Sequence, residues 1–178
     1  MNGTPINHYA PDFELPGVDD AVHHLARYLE NYKAVAVVFM ANQCPEVIQY
    51  LERLKQLQQD YQPQSITLVG INSNDVVSSP EDNFEQMKAF AQIHQLNFPY
   101  LRDVTQDVAQ SFGATCTPEA FLLDGQGILR YRGQIDDAPA SAEAATQTYL
   151  KTAITQLLAG IPIVPSETES WGKPIQWR

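Results

Sequence analysis

The chain is poor in cysteine, poor in positive charge and without a long apolar run. Its two cysteines, Cys44 and Cys116, are too few for a disulfide framework. They lie 72 positions apart, and spacing alone does not say whether they meet. Eleven Lys and Arg against 21 Asp and Glu leave a net charge of -10. Such a surface repels phosphate backbones and anionic lipid, which argues against nucleic acid or a membrane as partner. No stretch approaches the roughly 18 apolar residues of a membrane span. The opening residues, Met1-Asn-Gly-Thr-Pro-Ile-Asn-His-Tyr9, lack the basic start and apolar core of a signal peptide. A cytoplasmic protein is expected, in which thiols are kept reduced and a disulfide is catalytic or regulatory rather than structural. His8, His23, His24 and His94 show no ligand spacing with either cysteine, so neither a metal nor another cofactor is expected.

What is present suffices for a core: 44% of the 178 residues are hydrophobic and 18% charged, a globular balance in a length that suits one domain. The chain pivots on Val35 to Tyr50. Ala34-Val-Ala-Val-Val-Phe39 is a continuous apolar run of strand length, rich in β-branched residues, as expected of a central strand buried on both faces. From Cys44 the period changes. Val47, Ile48, Leu51, Leu54, Leu57 and Tyr61 recur every three or four positions as the inner face of a helix, with Pro45 in its first turn.

Around this pivot, Asp12 to Leu15 reads as an edge strand ending at Pro16-Gly17, and residues 22–31 read as a short helix. Within that helix the adjacent His23 and His24 read as surface or internally satisfied residues. Ser65 to Ile71 is a second buried strand, so strand, helix and strand form a βαβ unit with parallel strands. A helix begins at Pro80 and carries Phe84, Met87, Phe90, Ala91 and Ile93 inward. Phe98 to Leu101 is extended, 104–112 is helical and capped by Gly113, and Ala114 to Asp124 turns into a strand. Asp124-Gly-Gln-Gly127 is a hairpin signal before the return strand Ile128 to Arg132. Residues 140–159 are expected as one helix with Ala144, Tyr149, Leu150, Ile154, Leu157 and Leu158 inside. Asp136-Asp137 reads as a solvated loop rather than an acid–base pair. The whole is an α/β chain with a central mixed sheet flanked by helices on both faces, an N-terminal extension over 1–33 and an extended Pro-containing arm over 161–178. Trp171 and Trp177 favour packing of that arm over the site by the aromatic area they can bury.

In this order, Asn42-Gln-Cys-Pro45, Ile71 to Asp75, Pro80 to Met87, Phe98 to Leu101, Phe112-Gly-Ala-Thr-Cys-Thr-Pro118 and Tyr131 to Asp137 resemble the thioredoxin-like branch of the alkyl hydroperoxide reductase and thiol-specific antioxidant superfamily. The resemblance implies a thioredoxin fold, with protein thiols and disulfides or peroxides as reactants. Thr117-Pro118 matches that fold's cis-proline, which lies beside the active-site cysteine and helps bind substrate. Asn42, Gln43 and Pro45 join Thr117 and Pro118 as the implied substrate-binding residues. Members of the branch typically carry Cys-Asn-His-Cys-Pro where this chain has Ala41-Asn-Gln-Cys-Pro45, and Gly-Cys near the C-terminus where it has Gly172-Lys173.

A dithiol cycle needs an attacking thiolate and a resolving thiol. Ala41 replaces the usual attacker, so Cys44 and Cys116 are the remaining catalytic candidates. Cys44 stands at a helix start, where unpaired N–H groups favour thiolate. It is read either as a sulfur in disulfide exchange, with Cys116 as partner, or as an attacker of peroxide. The second use needs a cation, for which Arg102, Arg130 and Arg132 are the candidates. The competing reading is a binding or regulatory module of the same fold, with its cysteines acting as small buried hydrophobes.

Overall fold

The computed structural model describes residues 3–178. A short hairpin, β1 (Glu14–Pro16) and β2 (Val22–His24), leads into α1 (Leu25–Asn31), β3 (Ala34–Phe39), α2 (Pro45–Tyr61) and β4 (Ile66–Asn72). There follow α3 (Phe84–Ile93), β5 (Tyr100–Arg102), α4 (Asp107–Phe112), β6 (Cys116–Thr117), β7 (Glu119–Asp124), β8 (Leu129–Gly133), α5 (Tyr149–Ala159) and β9 (Lys173–Pro174). Five strands form the central sheet in the order β5-β4-β3-β7-β8, with β3, β4 and β5 parallel and β7 and β8 antiparallel. This is the mixed sheet expected from the sequence.

The centre of the sheet is β3, because its side chains have apolar partners on both sides. Residues 34–39 are at most 1% exposed, and alternate positions serve different layers. Ala34, Ala36 and Val38 share a core with Leu51 and Leu54 of α2, Met87 and Phe90 of α3, and Leu150 and Ile154 of α5. Val35, Val37 and Phe39 face Phe13, Leu25 of α1 and Phe112 of α4. In that second layer Phe39, Phe112 and Phe121 meet edge to face at centroid separations of 5.5–5.8 Å.

Several expected boundaries moved as backbone groups found partners outside the expected elements. Residues 22–24 pair with β1, so the first helix starts only at Leu25. Helix α3 begins at Phe84 rather than Pro80, since the Asn83 side chain caps it by accepting from Gln86 N at 2.9 Å. Helix α4 begins at Asp107 rather than 104, leaving Val104 exposed. The last begins at Tyr149 rather than 140. Asp137 accepts the backbone N–H groups of Thr146 and Gln147, which holds 138–148 as a loop with a single 3-10 turn at Ala142–Ala144. Ala144 is therefore exposed, as are Leu158, Ile93 at 75% and Ile48 at 42%, at the margins of their apolar stripes. Asp136 is not solvated: it is 5% exposed, accepts from Tyr50 Oη at 3.0 Å and pairs with Arg53 Nη1 at 2.6 Å.

The layer beneath α2 generates one expectation. Leu54 has no exposed surface, and truncation of such a leucine leaves a cavity that costs about 2–5 kcal/mol. Leu54→Ala should lower the free energy of unfolding by that amount, read as a lower urea midpoint with an unchanged m-value, measured by circular dichroism.

Candidate functional site

Cys44 occupies the N-cap of α2, with Pro45 as the first helical residue and the Cys44 carbonyl accepting Ile48 N at 3.0 Å. The sheet pairing that aligns β3 runs one residue further, through Met40 N to Ile71 O at 2.9 Å, and then the chain turns. At the turn the Asn42 N–H donates to Asp82 Oδ1 at 2.8 Å, which brings Cys44 to the helix start. The thiol is 2% exposed. Its proton has two acceptors in reach, Glu46 Oε2 at 3.2 Å and the Thr117 carbonyl at 3.6 Å. In return, the Thr117 hydroxyl donates to the sulfur at 3.6 Å.

Two opposed influences act on this thiol. Burial pushes its pKa up, because a thiolate loses hydration there, and the Glu46 carboxylate adds to the rise. The Thr117 hydroxyl and the Val47 N–H favour the anion and oppose it. Burial wins, so the helix start does not make Cys44 a standing thiolate, contrary to what its position in sequence suggested.

Cys116 lies in β6, 6% exposed, with its thiol 4.0 Å from the Pro118 carbonyl. Burial first, and then the Glu119 charge, push its pKa up to about 12. Both cysteines are free. Neighbours in an extended strand project to opposite sides, and it is Thr117 whose side chain reaches the Cys44 sulfur. The Thr117–Pro118 bond is cis, and Pro118 is buried.

The other implied binding residues divide by exposure. Gln43 and Pro45 are exposed beside the thiol, whereas Asn42 is 5% exposed. Its amide donates to the Glu81 carbonyl at 2.8 Å and accepts from Tyr100 Oη at 2.8 Å. The three arginines are committed elsewhere: Arg102 to Asn72 and Asn74, Arg130 to Asp124 and Asn7, and Arg132 to the Gly113 and Thr4 carbonyls. None of their hydrogen bonds or ion pairs reaches Cys44. Among the described residues no group of three or more His, Cys, Asp or Glu side chains is arranged to hold a metal ion.

Three features escaped the reading by residue type. Glu46 fell among the polar positions of the helix, although an acid two residues after an N-cap cysteine stands in the same first turn. Asp82 looked like a helix-start acid, yet it is 2% exposed and binds the loop that carries Cys44. Glu119 is 1% exposed and accepts from Thr115 N at 2.7 Å and from Ser170 Oγ at 2.7 Å, linking β7 to the arm.

The opposed influences on Cys44 are separable in a Cys116→Ser background. Glu46→Gln removes a charge and an acceptor that favour the neutral thiol, so titration of Cys44 moves to lower pH. Thr117→Val removes a donor to sulfur and moves it to higher pH. The pH dependence of alkylation of the folded protein checks both, and shifts in the same direction contradict the assignment.

Comparison with known proteins places these features in a family. The AhpC/TSA family model matches residues 6–132. The chain is 29% identical over 121 residues to the thiol-disulfide oxidoreductase ResA of Geobacillus thermodenitrificans, covering 68% of this chain and 64% of that protein. It is 31% identical over 134 residues to the thiol:disulfide interchange protein DsbE of Escherichia coli K12, covering 73% and 63% respectively. Both matches thus span less than two thirds of the relative's own length. A hypothetical protein, SMc02350 of Sinorhizobium meliloti, superposes with a TM-score of 0.91 at 35% identity, over 99% of this chain and 97% of that one. With the family model spanning both cysteines, the cis-proline and the sheet that holds them, the chain belongs to the AhpC/TSA family of thioredoxin-like redoxins.

Proposed function

We propose that this redoxin carries out thiol–disulfide exchange with Cys44 as the single reacting sulfur and an outside thiol as resolver. One observation carries the reading: the Cys44 sulfur has a carboxylate 3.2 Å away to take its proton and a hydroxyl 3.6 Å away to stabilise the resulting anion. Glu46 accepts the proton as the thiolate attacks one sulfur of a disulfide. A new S–S bond forms between Cys44 and that sulfur while the original S–S bond breaks, and the departing sulfur leaves as a thiolate that takes up a proton. A second thiol, small or protein-borne, then attacks the mixed disulfide, frees Cys44 and leaves as part of a disulfide with the released group. Ala41 removes the partner for an internal two-cysteine cycle, so the resolving thiol comes from outside the chain. A reducing compartment such as the cytoplasm suits this need.

Peroxide reduction has less support, because the candidate arginines spend their donors on other groups. The competing reading, a binding module that has lost redox turnover, draws on the 2% exposure of Cys44 and its raised pKa.

Incubation of the folded protein with glutathione disulfide, followed by intact-mass measurement, separates these readings. One glutathionyl group should add to the wild type and to Cys116→Ser, none to Cys44→Ser, and added thiol should remove it. If both thiols stay unmodified until denaturant is added, the exchange reading fails. A sulfenic acid at Cys44 with hydrogen peroxide, without reaction with disulfides, favours peroxide chemistry instead.

A further inference from the structure

The end of the sheet away from Cys44 carries a cleft that the redox reading does not use. Asp124, the last residue of β7, pairs with Ala34, the first of β3, whereas Cys44 follows Phe39, the last of β3. Arg130 of β8 bonds Asp124 through Nε at 2.8 Å and so marks that far end. Two outer segments cover the edge of β8, the last strand of the sheet. Asn7 N donates to the Leu129 carbonyl at 2.8 Å, and Arg132 N donates to the Ser166 carbonyl at 3.0 Å. Between the N-terminal segment, the C-terminal arm and the end of α5 lies a cleft of about 480 Å³, within the ~300–1,000 Å³ range of small-molecule sites.

The walls of the cleft are apolar. Ile6 packs on the layer that holds Phe112, and Leu157 and Ile163 pack on the layer beneath α2, so the cleft lies where the two cores meet beyond the sheet edge. Ile161 adds a side chain that is 54% exposed. The turn that bears these residues is pinned to α5: Ile161 N donates to the Gln156 carbonyl at 3.1 Å, and Val164 N to Gln156 Oε1 at 3.1 Å. The cleft is thus formed before any ligand arrives. Its polar lining consists of donors, from Arg130, Asn7 and Ser166. Arg130 spends Nε on Asp124 and Nη1 on Asn7 Oδ1 at 2.9 Å. Asp124 in turn shares its other oxygen with the N–H groups of Gln126 and Ile128 in the hairpin turn. Among the described residues, Arg130 Nη2, Asn7 Nδ2 and Ser166 Oγ have no protein acceptor.

We propose that this cleft binds a small carboxylate with an apolar body, the carboxylate held by Arg130, Asn7 and Ser166. The lining selects that class. Donors without acceptors of their own call for an acceptor oxygen, and a guanidinium calls for a charged one. The apolar walls call for hydrocarbon, which gains by leaving water. The net charge of -10 repels polyanions, and a single carboxylate keeps that repulsion smallest. Polarity also fixes the orientation. Leu157 and Ile161 stand at the C-terminal end of α5, where the helix dipole disfavours an anion. The charged head therefore lies against β8 and the tail runs toward Ile161. Binding here is independent of the exchange at Cys44, whose hydrogen-bond partners are Glu46 and Thr117.

The test titrates the full chain with octanoate, octanol and acetate while isoleucine methyl groups are followed by NMR. Octanoate carries head and tail, octanol the tail alone and acetate the head alone. Octanoate should saturate a single site and shift the methyls of Ile6, Ile161 and Ile163, while those of Ile66 and Ile71 in β4 stay in place. Octanol and acetate should each bind about tenfold more weakly or worse, as the loss of a charge-assisted pair or of buried hydrocarbon requires. Arg130→Gln should weaken octanoate by about tenfold and leave octanol unchanged. Ile161→Glu, at an exposed position, should weaken both. Because Arg130 also pairs with Asp124, Ser166→Ala is the second variant: it removes one donor, leaves that ion pair in place and should weaken octanoate severalfold. Where Arg130→Gln loses the folded methyl spectrum, Ser166→Ala decides. Octanoate binding no tighter than octanol, or unchanged when the donors are removed, overturns the carboxylate site. So do shifts spread through the core methyls. Self-association through this face, seen as a concentration-dependent sedimentation coefficient without an octanoate site, overturns it as well.

Discussion

A carboxylate taken out of water needs hydrogen-bond donors around it, and the way Asp82 obtains them ties the candidate site together. At 2% exposure, its Oδ1 accepts from the Asn42 backbone and from Asn72 Nδ2, each at 2.8 Å, and its Oδ2 accepts from Asn74 Nδ2 at 2.9 Å. These donors sit at the end of β3, the end of β4 and the loop beyond it. Tyr100 Oη bridges Asn72 and Asn42, and Arg102 supplies the compensating charge while bonding Asn72 Oδ1 and the Asn74 carbonyl. The loop that presents Cys44 is therefore held by the interior. Removing one partner from such a network strands the others without water, which makes its geometry effectively all-or-none.

The same network reaches the arm. Asn74 Oδ1 and the Asp75 N–H hold Gln176, and Gln106 Nε2 bonds both the Ser73 and Gln176 carbonyls. One buried polar cluster thus sets where the thiol stands and where the covering strand passes. Burial in turn sets the chemistry at rest. Burial holds Cys44 in its neutral form, with Glu46 as the acceptor waiting for its proton. The buried thiol at this helix start is neutral, which differs from a permanently ionised sulfur at an open helix end.

Much of the framework was legible in local pattern. The change from Ala34-Val-Ala-Val-Val-Phe39 to a three-and-four spacing after Cys44 announced a central strand feeding a helix, and the Asp124–Gly127 turn announced the hairpin. Thr117-Pro118 was readable only through family resemblance, since an X-Pro bond adopts either isomer at little cost. Asp136 and Asp82 were misjudged for a common reason. Polar residues in loops are usually solvated, but Asp136 is held by Arg53 and Tyr50, 83 and 86 positions away, and Asp82 by the Asn42 backbone, 40 positions away.

By itself, then, the sequence determined the order of elements, the two-sided burial of β3, the helix start at Cys44 and, through Ala41, the lack of a second thiol in the motif. These follow from residue types within a turn or two of one another. The tertiary structure decided what lies against the sulfur: a carboxylate and a hydroxyl from different elements, no arginine, and a strand from the C-terminus across the neighbouring edge. Desolvation and hydrogen bonding depend on distances of a few ångströms between residues far apart in the chain, so the ionisation of Cys44 and access to it arise only when the chain has folded.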